Sequence, residues 1–264
     1  MNLQPYRWII INQSGGKDSQ TALRTTHALA VEQGIPLDRL VVSHQCLGRM
    51  EWPGTLDLVR AQAEHYGLKC YVSRYRDKNK EEIDLLEYAR RRGKWPSSTT
   101  RWCTSEFKRG PGGRVITLLS NMSPGSVLNV YGFRADESPA RKKKSVFALN
   151  PRFSTQNRSV WDWLPIHHWT TEQVWADIKQ SGVPHHPAYD KGMPRLSCRF
   201  CIFAPKSALI LAGRENPELL DEYCDLELEM GHTFQHGKSL NDIREFIRQN
   251  PSVEIDAQEE KWNM

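Results

Sequence analysis

The chain has 264 residues, of which 39% are hydrophobic and 25% charged, with a formal net charge of +5. That length suits one large domain, or one domain with an appendage, and the composition reads as globular and soluble. It contains no run of about 18 apolar residues, and Met1-Asn2-Leu3-Gln4-Pro5-Tyr6-Arg7 lacks a signal peptide's apolar stretch and cleavage site; a transmembrane helix is excluded and the cytoplasm is the expected location.

Trp8 to Asn12, apolar and β-branched, predicts a first strand. A Gly-containing loop follows at once, and Asp18 to Gln33 predicts a helix that Gly34 and Pro36 end. Leu40 to Ser43 reads as a second strand. Thr55 is the expected N-cap of a helix running to about Tyr66. Cys70–Ser73 and Val127–Tyr131 read as further strands and Glu81–Arg92 as a helix. This alternation predicts an α/β fold, a parallel sheet with helices on both faces. Residues 93–114 and 133–158 read as basic loops. Residues 171–180 predict a helix capped by Thr170 or Thr171, with Val174, Trp175 and Ile178 on its apolar face. Residues 206–250 read as wholly helical, with breaks near Asn216-Pro217 and Gly231–Gly237. The expected division is 1–184 for a nucleotide-binding domain and 185–264 for a helical C-terminal region.

The charge is uneven. Residues 74–114 hold twelve Lys or Arg against six Asp or Glu, and residues 134–158 hold seven against two. Such flanks suit a polyanionic substrate such as DNA, or equally a solvated face around a small nucleotide; both readings stay open. The acidic stretch 215–229 reads as a solvated helix face.

The segment Ser14-Gly15-Gly16-Lys17-Asp18-Ser19 lies directly between a predicted strand and a predicted helix. Glycines let backbone N–H groups approach phosphates, the helix N-terminus adds partial positive charge, Lys17 adds a point charge, and Ser14 and Ser19 add hydroxyls. It is not a Walker A loop, because Ile11 and Asp18 stand where that motif needs Gly and Ser or Thr. The six residues resemble instead the PP-loop of ATP pyrophosphatases, which cleave ATP between its α and β phosphates. That resemblance implies an adenine nucleotide α-hydrolase-like fold, with ATP and Mg²⁺ as cofactors.

Three further stretches narrow the likeness: Thr100–Pro111, with Cys103, Lys108 and Arg109; Gly132-Phe133-Arg134-Ala135-Asp136-Glu137-Ser138-Pro139-Ala140-Arg141; and Leu164-Pro165-Ile166 through Cys198-Arg199-Phe200-Cys201. In order and spacing they resemble the phosphoadenosine phosphosulfate reductase superfamily over roughly residues 8–205. The resemblance implies catalytic roles for Lys17, Asp18, Arg134, Glu137 and Arg141, and a nucleotide contact for Lys108. Arg134 and Arg141 are forked donors suited to phosphate or carboxylate. Glu137 would pair with one of them or help hold Mg²⁺.

Within that superfamily the intact loop looks most like the ATP-pyrophosphatase component of DNA phosphorothioation systems. That likeness implies adenylation of an oxygen, a DNA backbone phosphate being the expected acceptor, followed by sulfur incorporation. Sulfonucleotide reduction is the alternative. It is expected less, because such reductases carry a terminal cysteine motif whereas the sequence ends Gln258–Met264 with no cysteine after Cys224. A non-catalytic ATP-binding scaffold is a third reading. The resemblance brings Cys103, Cys198 and Cys201 together as ligands of a [4Fe-4S] cluster or of zinc, or as a relay for persulfide from a cysteine desulfurase partner. No membrane partner is expected, and a homo-oligomer is left open.

Overall fold

The apolar run Trp8–Asn12 forms β1 in the middle of a six-stranded sheet, in the computed structural model that describes residues 1–257 and Trp262. The rest of the chain end discussed above lies outside the described residues. The strands β1, β2 (Leu40–Gln45), β3 (Lys69–Ser73), β4 (Val127–Val130), β5 (Phe147–Leu149) and β6 (Val160–Trp163) lie in the order β3-β2-β1-β4-β6-β5. All pairings are parallel except β5 with β6. The expected wholly parallel sheet is therefore corrected to a mixed, mostly parallel one. The exception is a three-residue edge strand that returns beside β6, a short connection only an antiparallel pair permits.

Helix α1 (Lys17–Glu32) starts one residue earlier than expected and α2 (Thr55–His65) ends one earlier. Thr55 does not cap α2: the N-cap is Gly54, at φ +81°, and the Thr55 hydroxyl is turned inward to His186 Nε2 at 3.0 Å. Helix α3 (Leu85–Arg92) is shorter than expected because Asp84 caps it, its carboxylate accepting from Glu87 N at 2.9 Å. The stretch read as loop after residue 93 holds a short helix α4 (Trp102–Thr104), a π-helical turn over Ser105–Arg109 and a full helix α5 (Gly110–Met122). A short α6 (Pro139–Lys142) follows, then α7 (Thr171–Ser181), whose N-cap Thr170 and Gln173 form the reciprocal capping box. The C-terminal helices are α8 (Lys206–Glu215), α9 (Pro217–Met230) and α10 (Leu240–Gln249), broken where expected. No helix among the described residues is long and apolar enough to cross a membrane.

The chain forms two units, each discontinuous in sequence: unit 1 comprises 1–46, 54–74 and 109–186, and unit 2 comprises 47–53, 75–108 and 187–264. Unit 1 is the sheet with its helices. Ile9, Ile11, Leu40, Val42, Leu128 and Val130 pack on Leu23 of α1 and Val59 of α2, whereas Trp8, Ile10, Val41, Val127 and Val160 pack on Val115, Ile116 and Leu119 of α5. The alternation along each strand thus sends its residues to two helical layers.

Unit 2 is helical, built on Leu85, Leu86 and Ala89 of α3 with Leu209, Leu220, Tyr223 and Leu240 of α8–α10. Trp95 stacks on Tyr223 with ring centroids 5.2 Å apart and planes 4° from parallel. Glu227 of α9 is 5% exposed and gathers the turn ahead of α10: it accepts from Phe234 N at 2.6 Å, from Asn241 Nδ2 at 2.9 Å and from the Ser239 hydroxyl. Burial alone would raise its pKa, but these donors outweigh it and hold the carboxyl below its ordinary value. With the folded pKa under the unfolded value of about 4.3, the contribution is complete above that pH and disappears as pH falls through the folded value. Glu227→Gln is expected to cost about 1–3 kcal/mol at neutral pH and to flatten the acid limb of a denaturation series; an unchanged acid limb would count against this clip.

Candidate nucleotide site and thiol group

In unit 1 the loop 14–19 leaves the carboxyl end of β1 and enters α1. Gly15 takes φ +77°, a left-handed conformation open to glycine at little cost. The N-cap of α1 is Gly16, with no side-chain cap, so the N-terminal N–H groups of the helix are set for an anion. Lys17 is buried and meets Asp18, Nζ to Oδ2, at 3.3 Å. The other Asp18 oxygen accepts from Arg134 Nε at 2.6 Å.

Arg134 is 3% exposed. Its remaining donors reach Asp136 at 3.3 Å, the Trp169 carbonyl at 3.1 Å and the Thr171 hydroxyl at 3.1 Å. Burial disfavours its charged form, but Asp18, Glu137 and Asp136 outweigh that and raise its pKa. The Arg134 backbone N–H donates to Glu137 Oε2 at 2.9 Å, and Glu137 in turn pairs with Arg141. The sequence leaves phosphate and carboxylate both open as partners of Arg134 and Arg141, and predicts that Glu137 pairs with one of them or helps hold Mg²⁺. The structure shows Arg134 bound to the loop aspartate and Arg141 bound to Glu137, so the Gly-x-Arg-x-x-Glu motif braces the loop through Asp18. Both carboxylates thereby carry protein cations, and Mg²⁺ would arrive on the nucleotide's phosphates rather than in a carboxylate cage. Gly132 lies against the loop: a Cβ there would sit 2.5 Å from Asp18 O and 2.8 Å from Ser19 N.

Lys108 lies in unit 2, where it accompanies Cys103, Cys198 and Cys201. All three cysteines are half-buried and pack beside the unit 2 core. The turn bearing the last two is pinned by Arg199, which donates from its backbone to Met50 O at 2.9 Å and from its side chain to Asn216 Oδ1 at 2.8 Å. Gln235 Nε2 bonds Ile202 O and Ala204 O at 3.0 and 2.9 Å just beyond. Burial raises the pKa of each thiol; Lys108 opposes this at Cys198, and Cys198 raises Lys108. The indole N–H groups of Trp95 and Trp102, in the same core, have no partner among the described atoms. The sulfurs of Cys103, Cys198 and Cys201 share this core, but among the described residues they do not form a group of three ligand atoms within 4.8 Å of one another. Cys46 and Cys224 are buried and Cys70 is partly buried.

Sequence reasoning missed Gln13, Gln62 and the brace at Gly132. Only the position of Gln13, directly before the loop, could have drawn attention to it.

A glycine loop between a central strand and its helix, on a mostly parallel sheet, defines an α/β nucleotide-binding protein of the PP-loop class. The chain belongs to the phosphoadenosine phosphosulfate reductase domain family, which matches residues 9–204. An uncharacterized protein of Methanocaldococcus jannaschii is 28% identical over 216 residues, covering 81% of this chain and 40% of its own. An adenosine 5'-phosphosulfate reductase of Lysinibacillus sphaericus is 24% identical over 124 residues, 46% of this chain and 48% of its own. The chain spans less than half the length of these curated relatives. Yeast FAD synthetase in complex with FAD shares the fold with a TM-score of 0.50 at 13% identity, over 97% of this chain and 79% of its own.

Proposed function

We propose that the protein acts in sulfur chemistry on an adenine nucleotide, and that its reaction is reduction of an adenylyl sulfate to sulfite. The observation that carries this reading is the thiol group of unit 2, in a chain whose unit 1 bears the nucleotide loop. Sulfonucleotide reduction consumes two electrons, and two thiols supply them. One thiolate sulfur attacks the sulfate sulfur, and the S–O bond breaks to release the nucleotide with its electron pair. A second thiolate then attacks the enzyme S-sulfonate, forming a disulfide and freeing sulfite; an external dithiol resets the pair. Relatives named adenosine 5'-phosphosulfate reductase support the same reading. Burial holds the Cys198 thiol above its ordinary value, and Lys108 beside it opposes that rise. A cluster held by Cys103, Cys198 and Cys201 would occupy these same thiols and supply electron or sulfur storage, so it is an alternative to the dithiol steps and not an addition to them. Lys17 and the α1 N-terminus hold the phosphate, and Arg134 fixes Asp18 beside it.

One specific observation favours a second reading, the adenylation of an oxygen by ATP. The loop keeps its lysine, and Lys17 is buried within a phosphate-binding turn, suited to the charge that develops on departing pyrophosphate. Only the basic stretches 74–114 and 134–158 support DNA as the acceptor in that reading, and a desulfurase as sulfur donor follows from the resemblance alone.

Anaerobically purified protein incubated with a dithiol and either labelled phosphoadenosine phosphosulfate or labelled ATP separates the two. Sulfite from the former, with ATP untouched, is the expected result. AMP and pyrophosphate from ATP, with no sulfite, would sink the reductase reading and leave the second. Lys17→Ala is expected to reduce turnover at least about a hundred-fold, equivalent to about 2.7 kcal/mol, in either case.

A further inference from the structure

Three buried glutamines connect the back of the loop to the turn at residues 183–184. Gln13, Gln20 and Gln62 are 2%, 2% and 0% exposed. A buried carboxamide is costly unless its oxygen and nitrogen are matched; Gln13 and Gln62 are matched at both ends, whereas the Gln20 oxygen has no partner among the described atoms, and the matching has a direction.

It starts at the carbonyl of Pro184, which can only accept. Gln62 Nε2 donates to it at 3.1 Å, and Gln20 Nε2 from α1 donates to the same oxygen at 3.2 Å and to Val183 O at 3.0 Å. With its nitrogen committed, Gln62 turns its oxygen to Gln13, which must answer with Nε2, at 2.8 Å. The Gln13 oxygen is then left facing the loop and needs donors there. It receives the Gly15 N–H at 3.2 Å and the Ser19 hydroxyl. The backbone of Gln13 is fixed as well: its N–H donates to Ser43 O at 2.9 Å, and its carbonyl lies 2.8 Å from His44 Nδ1. Reversing Gln13 or Gln62 would set donor against donor at one end of its amide and acceptor against acceptor at the other.

We propose that Gln13 and Gln62 are positioning residues for phosphate binding: the relay that begins at Pro184 O polarises the loop, holds Gly15 in its left-handed turn and fixes Ser19 at the start of α1. The assignment rests on the nucleotide reading of unit 1. Neither glutamine is asked to touch the ligand; they set the shape that presents the helix N-terminus and Lys17.

The test is calorimetric binding of inorganic pyrophosphate, ATP and adenosine to the full-length wild-type protein, Gln62→Leu, Gln13→Ala and Lys17→Ala. Gln62→Leu and Gln13→Ala are expected to weaken pyrophosphate and ATP at least about ten-fold while adenosine changes less than about two-fold. A general loss of structure would weaken all three ligands together, and that result overturns the proposal. So does unchanged pyrophosphate binding in a protein where Lys17→Ala abolishes it. Pyrophosphate binding insensitive to Lys17→Ala would instead remove the nucleotide reading itself, and the relay's role with it. Should Gln62→Leu fail to fold, Gln62→Met keeps the side-chain length and volume and removes both the donor to Pro184 O and the acceptor toward Gln13. The relay requires it to show the same selective loss of phosphate affinity, and equal weakening of all three ligands would overturn it.

Discussion

Replacement of Gly132 by alanine is expected to cost the protein its phosphate loop before it costs the sheet. A Cβ at this position meets backbone atoms, Asp18 O at 2.5 Å and Ser19 N at 2.8 Å, and no side chain can swing away to make room. Either β4's exit or the first turn of α1 must move. Overpacking of this kind costs about 1–3 kcal/mol, and here the displaced atoms are those that shape the anion site. Pyrophosphate affinity is therefore expected to fall at least about ten-fold, beyond what the stability loss alone would cause. Gly112→Ala provides the control, since its Cβ would meet only Gln45 side-chain atoms at 3.5 Å, inside helix α5. That variant is expected to be neutral or to gain up to about 1 kcal/mol from helix propensity. If the two alanines behave alike in denaturation and binding, the close approach at Gly132 does not govern the loop.

The second large effect is expected at Arg134. Its side chain is 3% exposed and that of Asp18 is 15% exposed, with 2.6 Å between them. Removing Arg134 leaves Asp18 with Lys17, 3.3 Å away, as its cation, so the loss is expected at about 1–3 kcal/mol, below that of a fully stranded buried charge. Arg134→Leu also deprives the Trp169 carbonyl and the Thr171 hydroxyl of their donor. Lysine is no substitute, because one ammonium cannot reproduce a planar fork spread over Asp18, Asp136, Trp169 and Thr171. In chemical denaturation, Arg134→Leu combined with Asp18→Asn is expected to cost markedly less than the sum of the two single variants, since each single variant already breaks the contact they share. Strict additivity, or a cost for Arg134→Leu below about 1 kcal/mol, would mean that Asp18 is held by something else.

The parts of the fold that were legible in the sequence are those where local pattern and tertiary role agree. Trp8–Asn12 is apolar because it is central in the sheet, and Gly15 and Gly16 interrupt it where the backbone must turn. Thr170 and Gln173 announce α7 through their own hydrogen bonds. Helix α5 was hidden because it begins Gly110-Pro111-Gly112-Gly113, residues that read as loop. Yet proline is tolerated in a first turn, and Val115, Ile116 and Leu119 recover the cost by packing on the sheet. Strand β6 was hidden by its brevity and by Asp162, a carboxylate whose pKa burial raises but which Asn129 and Asn150 satisfy. The loop lysine and serines were legible as a motif. The roles of Arg134 and the glutamine relay were not, because they depend on partners brought together across the fold: Asp18 for Arg134, and Gln62 and Pro184 for Gln13.

The interleaving of the two units along the chain has a consequence for synthesis. The polypeptide passes between them five times, so unit 2 cannot be finished in the order in which it leaves the ribosome. The ring of Trp95 emerges long before Tyr223, on which it stacks, and at translation rates of about 5–20 residues per second the wait is on the order of ten seconds. Over that interval Leu85, Leu86, Trp95 and Trp102 have no α8–α10 to cover them. A nascent chain halted before residue 206 thus presents an uncovered aromatic surface, the kind of surface that holdase chaperones bind.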